Sequence, residues 1–343
     1  MARLQLSVID HSRASSDRYA PERRPPSEVA PMTDAPSPIG STFYKSLLRC
    51  PREHAHYYEA RVKPARRREA LDTGIIWHAP LEVYYKRIKE WQEGRSTFDK
   101  STWDGPDFFW GGSADAEKQA FEYIEPFMTE PGYEKTYEVV TRLLGGYFNF
   151  YRRTDRWRIL AVEETVMFLV DGFEYSARLD LIVEDVSRGG MWIVEHKSAK
   201  AITEDLVSNY QMDLQILGQI WLLRHCVDLS KYPPFKGVLV NIGTKAKEPR
   251  FERIECCPSD LHLASFEESI RRWIRIRNEY ALEGWPRALG NCAGFARGYT
   301  TCDFYDLCHN RPEWSLEDVK HGPLPTGYDY RDAQEPVCDP SEG

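Results

Sequence analysis

The segment WIVEHKSAK at residues 192–200 places Glu195 and Lys197 two residues apart at the end of an apolar run. In a β-strand successive side chains alternate between the two faces, so Glu195 and Lys197 share one face and His196 points to the other. A carboxylate and an amine on one face suit metal-assisted attack on a phosphate. Charged residues are also frequent at exposed strand ends, so a solvated sheet edge is the alternative for this segment alone.

A second carboxylate occurs one predicted strand earlier. Asp180 lies in ARLDLIV, fifteen residues before Glu195, and SRGG at residues 187–190 predicts a turn between the two segments. Such a turn brings Asp180 roughly opposite Glu195 on neighbouring strands. Two carboxylates in that arrangement are typical ligands of Mg²⁺ or Mn²⁺. By itself, Asp180 is equally consistent with the solvent face of its strand.

An upstream helix supplies a further candidate ligand. In GIIWH, Gly74 and His78 are four residues apart and therefore lie on one helical face. A neutral imidazole at His78 can bind the same cation, although a histidine satisfied by a core or surface partner is the alternative. Lys197 can orient an attacking water and offset charge that develops on the phosphate. Together these residues predict metal-assisted phosphodiester hydrolysis.

The elements that carry these residues predict an α/β fold with an N-terminal helical part. Residues 1–37 predict a disordered tail, and order is expected to begin near residue 40. Three strands from residue 157 to residue 200 form an antiparallel meander, with Asp171-Gly172 as its first turn. Glu163 and Glu164, in the first of these strands, are expected at the surface or behind the metal ligands. The remaining predicted elements are helices at 70–91, 114–128, 133–153, 205–226 and 259–283 and strands at 235–244 and 250–257.

Composition and charge limit the class of protein. The 343 residues are 42% hydrophobic and carry a net charge of −8, which argues against a surface that is basic overall but permits a local basic channel. Basic runs occur at residues 61–69 and 271–277 and are candidate DNA contacts or solvated faces. The chain has no apolar run of about 18 residues, which a membrane span would need, and residues 1–32 lack the apolar block of a secretory signal. We therefore expect a cytoplasmic protein that does not associate with membranes.

The motifs GIIWH, ARLDLIV, WIVEHK and DLQILGQIWLL occur in this order and resemble those of RecB-type nucleases in the PD-(D/E)xK superfamily. The resemblance implies a restriction-endonuclease-like mixed sheet flanked by helices, in a nuclease domain at residues 38–311 followed by an irregular tail at 312–343. It implies a metal site formed by the side chains of His78, Asp180 and Glu195 and the backbone carbonyl of His196. Lys197 would be the catalytic lysine.

In this family the helix after the lysine strand often carries a Gln-x3-Tyr pair. Gln215 matches the glutamine and is placed in the catalytic set, but Gln219 stands where tyrosine is expected. A second register puts Gln211 first and Gln215 at the tyrosine position. A glutamine there can still hydrogen-bond the DNA backbone or the catalytic lysine. Ordinary polar helix positions are the alternative for both residues.

The cysteines are unevenly distributed. Cys292, Cys302 and Cys308 are spaced C-x9-C-x5-C, and Cys50 lies far upstream in LLRCPREH. One N-terminal and three C-terminal cysteines resemble the iron–sulfur staple of AddB nuclease domains and of CRISPR adaptation nucleases, although those proteins have a tighter C-x2-C. The resemblance implies a [4Fe–4S] cluster that ties the N-terminal helix to the C-terminal segment. A structural Zn²⁺, or four reduced thiols without metal, are the alternatives.

Taken together, the sequence predicts a metal-dependent DNA exonuclease that acts on single-stranded DNA or DNA ends. The chain has no Walker A motif, so a recombination or helicase protein is the expected partner. The context would be recombination, repair or phage DNA processing. A structure-specific endonuclease and a non-catalytic DNA-binding or scaffold protein are the alternatives.

Overall fold

The computed structural model describes residues 39–65, 69–95, 112–152, 154–292, 301–311 and 314–331. The predicted disordered tail at residues 1–37 lies outside these ranges, as do residues 66–68 of the first basic run. No helix in the described ranges is long and apolar enough to cross a membrane.

Ten α-helices are present in the described residues, and most of them precede or follow a central sheet. A turn of π-helix at Ala55–Glu59 follows the second helix, and a 3₁₀ turn at Glu125–Met128 follows the fourth. The helices are α1 Ser41–Arg49, α2 Pro51–His54, α3 Glu69–Arg95, α4 Ser113–Ile124, α5 Glu134–Tyr151, α6 Glu204–Gln211, α7 Leu214–Cys226, α8 Asp260–Glu283, α9 Tyr305–Asn310 and α10 Leu316–His321.

The described strands are β1 Val62–Pro64, β2 Trp157–Val170, β3 Phe173–Asp185, β4 Met191–Ala199, β5 Phe235–Thr244, β6 Phe251–Cys256 and β7 Tyr328–Tyr330. Five of them form the central mixed sheet in the order β2-β3-β4-β5-β6. The first three of these five are an antiparallel meander, β5 is parallel to β4, and β6 is antiparallel to β5. The predicted α/β class with a mixed, helix-flanked sheet is confirmed.

The turn between β2 and β3 forms at Asp171-Gly172, as the sequence predicts. Both residues have positive φ angles, +50° for Asp171 and +80° for Gly172. A two-residue hairpin loop of this kind matches the right-handed twist of the flanking strands. The meander therefore follows from local sequence alone.

Helices cover both faces of the sheet and bury its central strand. One face packs against α1, α7 and α8, and the other packs against α3 and α5. The first six residues of β4 are all buried, including the polar residues Glu195 and His196. Burial on both faces explains why β4 reads as a continuous apolar run rather than as an alternating one.

The prediction of a single helix over residues 205–226 is wrong in one respect, because the segment forms two helices, α6 and α7. The side chain of Asp213 accepts a hydrogen bond from the backbone N–H of Gln215 at 2.7 Å and caps α7. An aspartate that caps a new helix competes with continuation of the preceding one. The break sets the direction of α7 independently of α6.

The expectation that residues 312–343 are irregular is corrected for part of that segment. Helix α10 begins with a capping box in which Ser315 and Asp318 exchange hydrogen bonds. Strand β7 pairs antiparallel with β1, with Val62 opposite Tyr330. A three-residue strand whose partner lies more than 250 residues away leaves no local pattern in the sequence, so it could not be read from it.

Candidate active site

Asp180 and Glu195 lie where the pairing between β3 and β4 ends. The last paired residues are Leu181 and Val194, so the next step along both strands places Asp180 beside Glu195. The backbone N–H of His196 donates to Asp180 Oδ2 at 2.8 Å. The carboxylate thus satisfies a backbone donor at the point where the strands diverge. The structure brings the two predicted acids together as the turn at residues 187–190 requires.

Glu195 is almost completely buried, with 1% of its side chain exposed. Its Oε1 accepts from Gln215 Nε2 at 2.8 Å, and its Oε2 accepts from Gln219 Nε2 at 2.5 Å. Lys197 Nζ lies 3.0 Å from Oε1 of the same carboxylate. Burial, followed by the charge of Asp180, raises the pKa of Glu195. Hydrogen bonds and an ion pair therefore hold this buried carboxylate in place.

Lys197 and Glu195 share Gln215 as a common partner. Lys197 Nζ donates to Gln215 Oε1 at 2.9 Å, while the amide nitrogen of Gln215 donates to Glu195. One glutamine side chain thus fixes the separation between the lysine and the acid. Gln219, four residues further along α7, lies on the same helical face and contacts the other oxygen of Glu195.

In the alternative register the first glutamine, Gln211, forms its hydrogen bond away from the acids. Gln211 Nε2 donates to the backbone carbonyl of Glu255, on β6. The pair that contacts Glu195 is Gln215 and Gln219, so the position where tyrosine is expected carries a glutamine with a direct hydrogen bond to the acid.

Helix α7 can bring these glutamines to the sheet because Gly218 lies between them. A Cβ atom at Gly218 would lie 2.2 Å from the hydroxyl of Tyr175 on β3. Only a residue without a side chain permits this close approach. The N-terminus of α7 is fixed as well, because Lys45 on α1 forms an ion pair with Asp213 at 3.1 Å.

His78 on α3 approaches the site from the other side. Its Nδ1 lies 3.2 Å from Asp180 Oδ2. Burial lowers the pKa of His78, but the charge and hydrogen bond of Asp180 outweigh that effect and raise this pKa to about 9. The same contact holds the pKa of Asp180 below its ordinary value against the opposing effect of burial. A positive charge beside Asp180 is therefore favoured.

The His196 side chain points away from the acids, as the strand alternation predicts. Its imidazole stacks on Tyr85 at 5.6 Å between ring centroids, and its Nδ1 lies 3.0 Å from Asn241 Nδ2 on β5. Burial lowers its pKa to about 3, so the ring is neutral. The predicted role of its backbone carbonyl in metal binding stays a prediction.

Glu163 on β2, which the sequence placed either at the surface or behind the metal ligands, is a neighbour of the site. The pairs Val162–Leu181 and Glu164–Leu179 place Glu163 across from Asp180, so carboxylates from three adjacent strands lie side by side. Its backbone has a φ of +52°, and its Oε2 pairs with Arg178 Nε at 2.5 Å. Burial, together with the charge of Asp180, raises the pKa of Glu163 to about 9. The irregular backbone, which sequence alternation does not reveal, turns the residue inward.

The donor set suits a divalent cation. Carboxylates are hard oxygen ligands. Burial first, and then the charge of Asp180, raise the pKa values of Glu163 and Glu195, and a cation beside these groups would favour their charged forms. Within the described ranges, no three His, Cys, Asp or Glu side chains already form a metal-binding group. A cation at this site would therefore require the carboxylates to exchange some of their present hydrogen bonds for metal contacts.

The cysteines converge but do not form a metal-binding group. Cys302 N donates to Cys292 O at 2.9 Å, and Cys308 Sγ lies 3.6 Å from His56 Nε2. Burial raises the pKa of Cys308, and the nearby Cys50 and Cys292 add to this effect. All four are free thiols. Since no metal-binding group of three or more side chains occurs in the part of the chain that is described, this placement does not support the predicted [4Fe–4S] cluster.

Two arginines of the second basic run form ion pairs with acidic side chains. Arg271 pairs with Asp171 and with Glu267, and Arg277 pairs with Glu59 at 2.6 Å. These contacts favour a structural role for both arginines.

A mixed sheet with two acids and a lysine at the end of its central strands defines a class of phosphodiester-cleaving enzymes. A family model described as the PD-(D/E)XK nuclease superfamily matches residues 41–309, and the chain belongs to this superfamily.

Solved structures show distant similarity. A crystal structure described as "Putative exonuclease" from Eubacterium rectale is 14% identical, with a TM-score of 0.40, and the match covers 83% of this chain and 93% of that one. A crystal structure of a protein named SSO0001 is 13% identical, with a TM-score of 0.26, and the match covers 56% of this chain and 85% of that one. No curated protein matches the chain. Similarity at this level does not define an activity.

Proposed function

We propose that this protein is a metal-dependent DNA exonuclease that hydrolyses phosphodiester bonds in single-stranded DNA or at DNA ends. The observation that carries the proposal is the junction of β3 and β4, where Asp180, Glu195 and Lys197 meet and Gln215 joins the lysine to the acid. Membership of a nuclease superfamily supports hydrolysis of nucleic acid. The resemblance of the ordered motifs to RecB-type nucleases supports exonuclease action.

The residues that would hold Mg²⁺ or Mn²⁺ are His78, Asp180, Glu195 and the backbone carbonyl of His196. When bound, the cation supplies positive charge that polarises the scissile phosphate. Binding through His78 requires its neutral form, so the imidazole must give up the proton that Asp180 favours. A cation held by Asp180 would offset the charge that favours this proton, so proton loss from His78 and metal binding would favour each other.

Lys197 acts on the phosphate side of the reaction. Its ammonium group, held by Gln215 and only partly exposed, positions a water for in-line attack and offsets the negative charge that develops on the phosphate. Gln215 keeps the lysine within 3.0 Å of Glu195, so the cationic group and the ligand acid keep a fixed relation. Arg178 pairs with Glu163, which lies across from Asp180, and so offsets negative charge beside that ligand.

Incubation of purified protein with end-labelled linear single-stranded DNA and with circular single-stranded DNA tests the proposal. We expect Mg²⁺- or Mn²⁺-dependent loss of the linear substrate, survival of the circle, and a fall in rate of about 10²- to 10⁴-fold in Lys197→Ala. Lys231→Ala, which removes an exposed lysine paired with Asp228, is the matched control and should leave the rate unchanged.

The alternatives give different results in the same assay. Cleavage of the circle would establish an endonuclease. Survival of both substrates under all metal conditions, with DNA binding retained, would establish a non-catalytic DNA-binding protein.

The biological setting and the cysteines remain predictions. Recombination, repair or phage DNA processing, with a recombination or helicase partner, suits a nuclease without a motor of its own. Absorbance at about 400 nm in anaerobically purified protein, lost in Cys302→Ala, would support a [4Fe–4S] cluster on Cys50, Cys292, Cys302 and Cys308. A colourless protein with stoichiometric zinc would support the Zn²⁺ alternative instead.

A further inference from the structure

An open cleft of about 410 Å³ lies beside the helix that follows Cys50. Among the residues that the structure describes, its lining carries two positive charges, two indole rings and no acid. The lining residues are Arg52, Trp285, Arg287, Leu289 and Trp314. A volume of this size is in the range of sites that accept small ligands.

The walls of the cleft are held together by Arg52, which forms hydrogen bonds with both segments that carry a tryptophan. The backbone N–H of Arg52 donates to Pro286 O at 3.0 Å, next to Trp285, and its Nη2 donates to Trp314 O at 2.5 Å. The cleft walls therefore come from three segments that are distant in sequence and joined by hydrogen bonds.

Both indole rings have partners that hold them in place. The Trp285 ring stacks on His54 at 5.5 Å between centroids, and the guanidinium of Arg311 lies 5.2 Å from the centroid of the Trp314 ring. Rings that are already ordered lose little conformational entropy when a ligand binds to them.

The electrostatics of the cleft favour an anion. Arg52 and Arg287 line the same cleft. Burial lowers the pKa of the Arg52 guanidinium against the opposing effect of Cys308, and the positive charge of Arg287 lowers this pKa further. Aromatic faces next to arginines are the combination that binds unpaired nucleotides, since every base has a face that can stack and every linkage has a phosphate.

The cleft is connected through α1 to the helix that carries Gln215. Lys45 on that helix pairs with Asp213, which caps the helix carrying Gln215. From Lys45 to Arg52 the chain spans at most about 17 Å, with four helical steps and three extended ones. A single strand of about 12 nucleotides is long enough to cover that distance, because even stacked nucleotides advance about 3.4 Å each.

We propose that this cleft is a subsite for an unpaired nucleotide of the substrate strand. A base stacks on Trp285 or Trp314, and Arg287 and Arg52 contact the adjoining phosphate. The inference rests on the proposed function, because it takes the strand to be the one cleaved beside Asp180 and Glu195. It gives a physical reason for a preference for single strands and frayed ends, since bases in an intact duplex cannot present their faces to an indole.

Fluorescence anisotropy of a labelled oligothymidylate of about 12 nucleotides tests the proposal, a length that exceeds the span estimated above. Full-length protein with Lys197→Ala, in EDTA, binds without cleaving. We expect a further Trp314→Ala substitution to weaken binding about 5- to 100-fold, which corresponds to the loss of one stacked base. Trp314→Phe should keep most of the affinity, and Arg287→Ala should lose a comparable amount. Arg224→Ala, at an exposed arginine paired with Asp260 on α7 and α8, is the matched control and should bind as before.

The proposed subsite is contradicted if both Trp314→Ala and Arg287→Ala bind the oligothymidylate with unchanged affinity. An equal loss for a blunt duplex of the same length would also overturn it, because the effect would not depend on unpaired bases. The proposed function is judged separately by cleavage with the wild-type protein. If Trp314→Ala weakens DNA binding but the wild-type protein does not cleave DNA, only the proposed nuclease activity is contradicted. If the wild-type protein cleaves DNA but Trp314→Ala does not change binding, only the proposed subsite is contradicted.

Discussion

At the scale of single residues, the site depends on Glu195, a buried carboxylate whose charge is costly to remove from water. Glu195 lies on the central strand of a sheet covered on both faces, so water cannot solvate its charge. Two glutamine amides and one lysine replace that solvation. These hydrogen bonds and the ion pair offset the cost of burial, and a bound cation would take over part of that role.

Gln219→Leu tests the importance of one of these hydrogen bonds. The substitution keeps the side-chain volume but leaves Glu195 Oε2 without the amide donor, so we expect the free energy of unfolding to fall by about 1–3 kcal/mol. Urea denaturation without divalent cations measures the change. Added Mg²⁺ should recover part of the loss, because it would stabilise the same carboxylate. An unchanged midpoint in the metal-free protein would show that the Gln219 contact does not stabilise the fold.

At the scale of elements, the distance between α7 and β3 determines whether the glutamines reach Glu195. Gly218 permits that distance, and the Asp213 cap together with the Lys45 ion pair fixes where the helix starts. Gly218, Asp213 and Lys45 therefore help to position the glutamines, although the hydrogen bonds to Glu195 come from Gln215 and Gln219.

Gly218→Ala is expected to lower both stability, by about 1–3 kcal/mol, and nuclease activity. The new Cβ would lie 2.2 Å from the Tyr175 hydroxyl, so α7 must move away from the sheet. Adding Tyr175→Phe removes that oxygen and should restore much of the loss, although the ring carbon nearest to it remains at 3.1 Å. Thermal unfolding and cleavage rate are the measurements.

Gly145→Ala is the matched control for this pair of variants. Gly145 lies in α5 with nothing within 4 Å of its would-be Cβ, so alanine there should be neutral or slightly stabilising. If Gly145→Ala and Gly218→Ala behave alike, the close approach of α7 to β3 is not the cause of any loss.

The sequence predicted the features of the site that depend on local pattern. Strand alternation placed Glu195 and Lys197 together, and the Asp171-Gly172 turn and the turn at residues 187–190 predicted the meander. The parallel alignment of β4 with β5 needed tertiary contacts that no local pattern records. For Glu163 the sequence left a surface position and a position behind the metal ligands open, because a φ of +52° in a non-glycine residue breaks strand alternation at that point.

At the scale of the whole molecule, the N-terminal helices join the two ends of the described chain. Strand β1 pairs with β7, Arg52 bonds to the Trp285 and Trp314 segments, and Asn291 Nδ2 donates to Arg49 O. The same helices contact the active site through Lys45. Loosening of this region should therefore affect both stability and catalysis.

His54 in α2 makes that region sensitive to acid. It is buried, stacks on Tyr58 and Trp285, and pairs with the Ser46 hydroxyl at 2.8 Å. Burial lowers its pKa to about 3 from an ordinary 6.5, and the charge of Arg277 adds to the effect. Between those values the unfolded chain binds a proton that the folded protein does not. Its contribution to stability is therefore fully present above pH 6.5 and is lost as the pH falls toward 3.

We expect the free energy of unfolding to fall by up to about 1.4 kcal/mol per pH unit below pH 6 because of His54 alone. Urea denaturation at pH 7, 6 and 5 measures this slope. His54→Gln, which cannot titrate, should be less stable at pH 7 but should show a shallower slope. His262→Gln, which replaces an exposed histidine, is the matched control. A slope that is equally steep in His54→Gln would place the acid sensitivity elsewhere in the molecule.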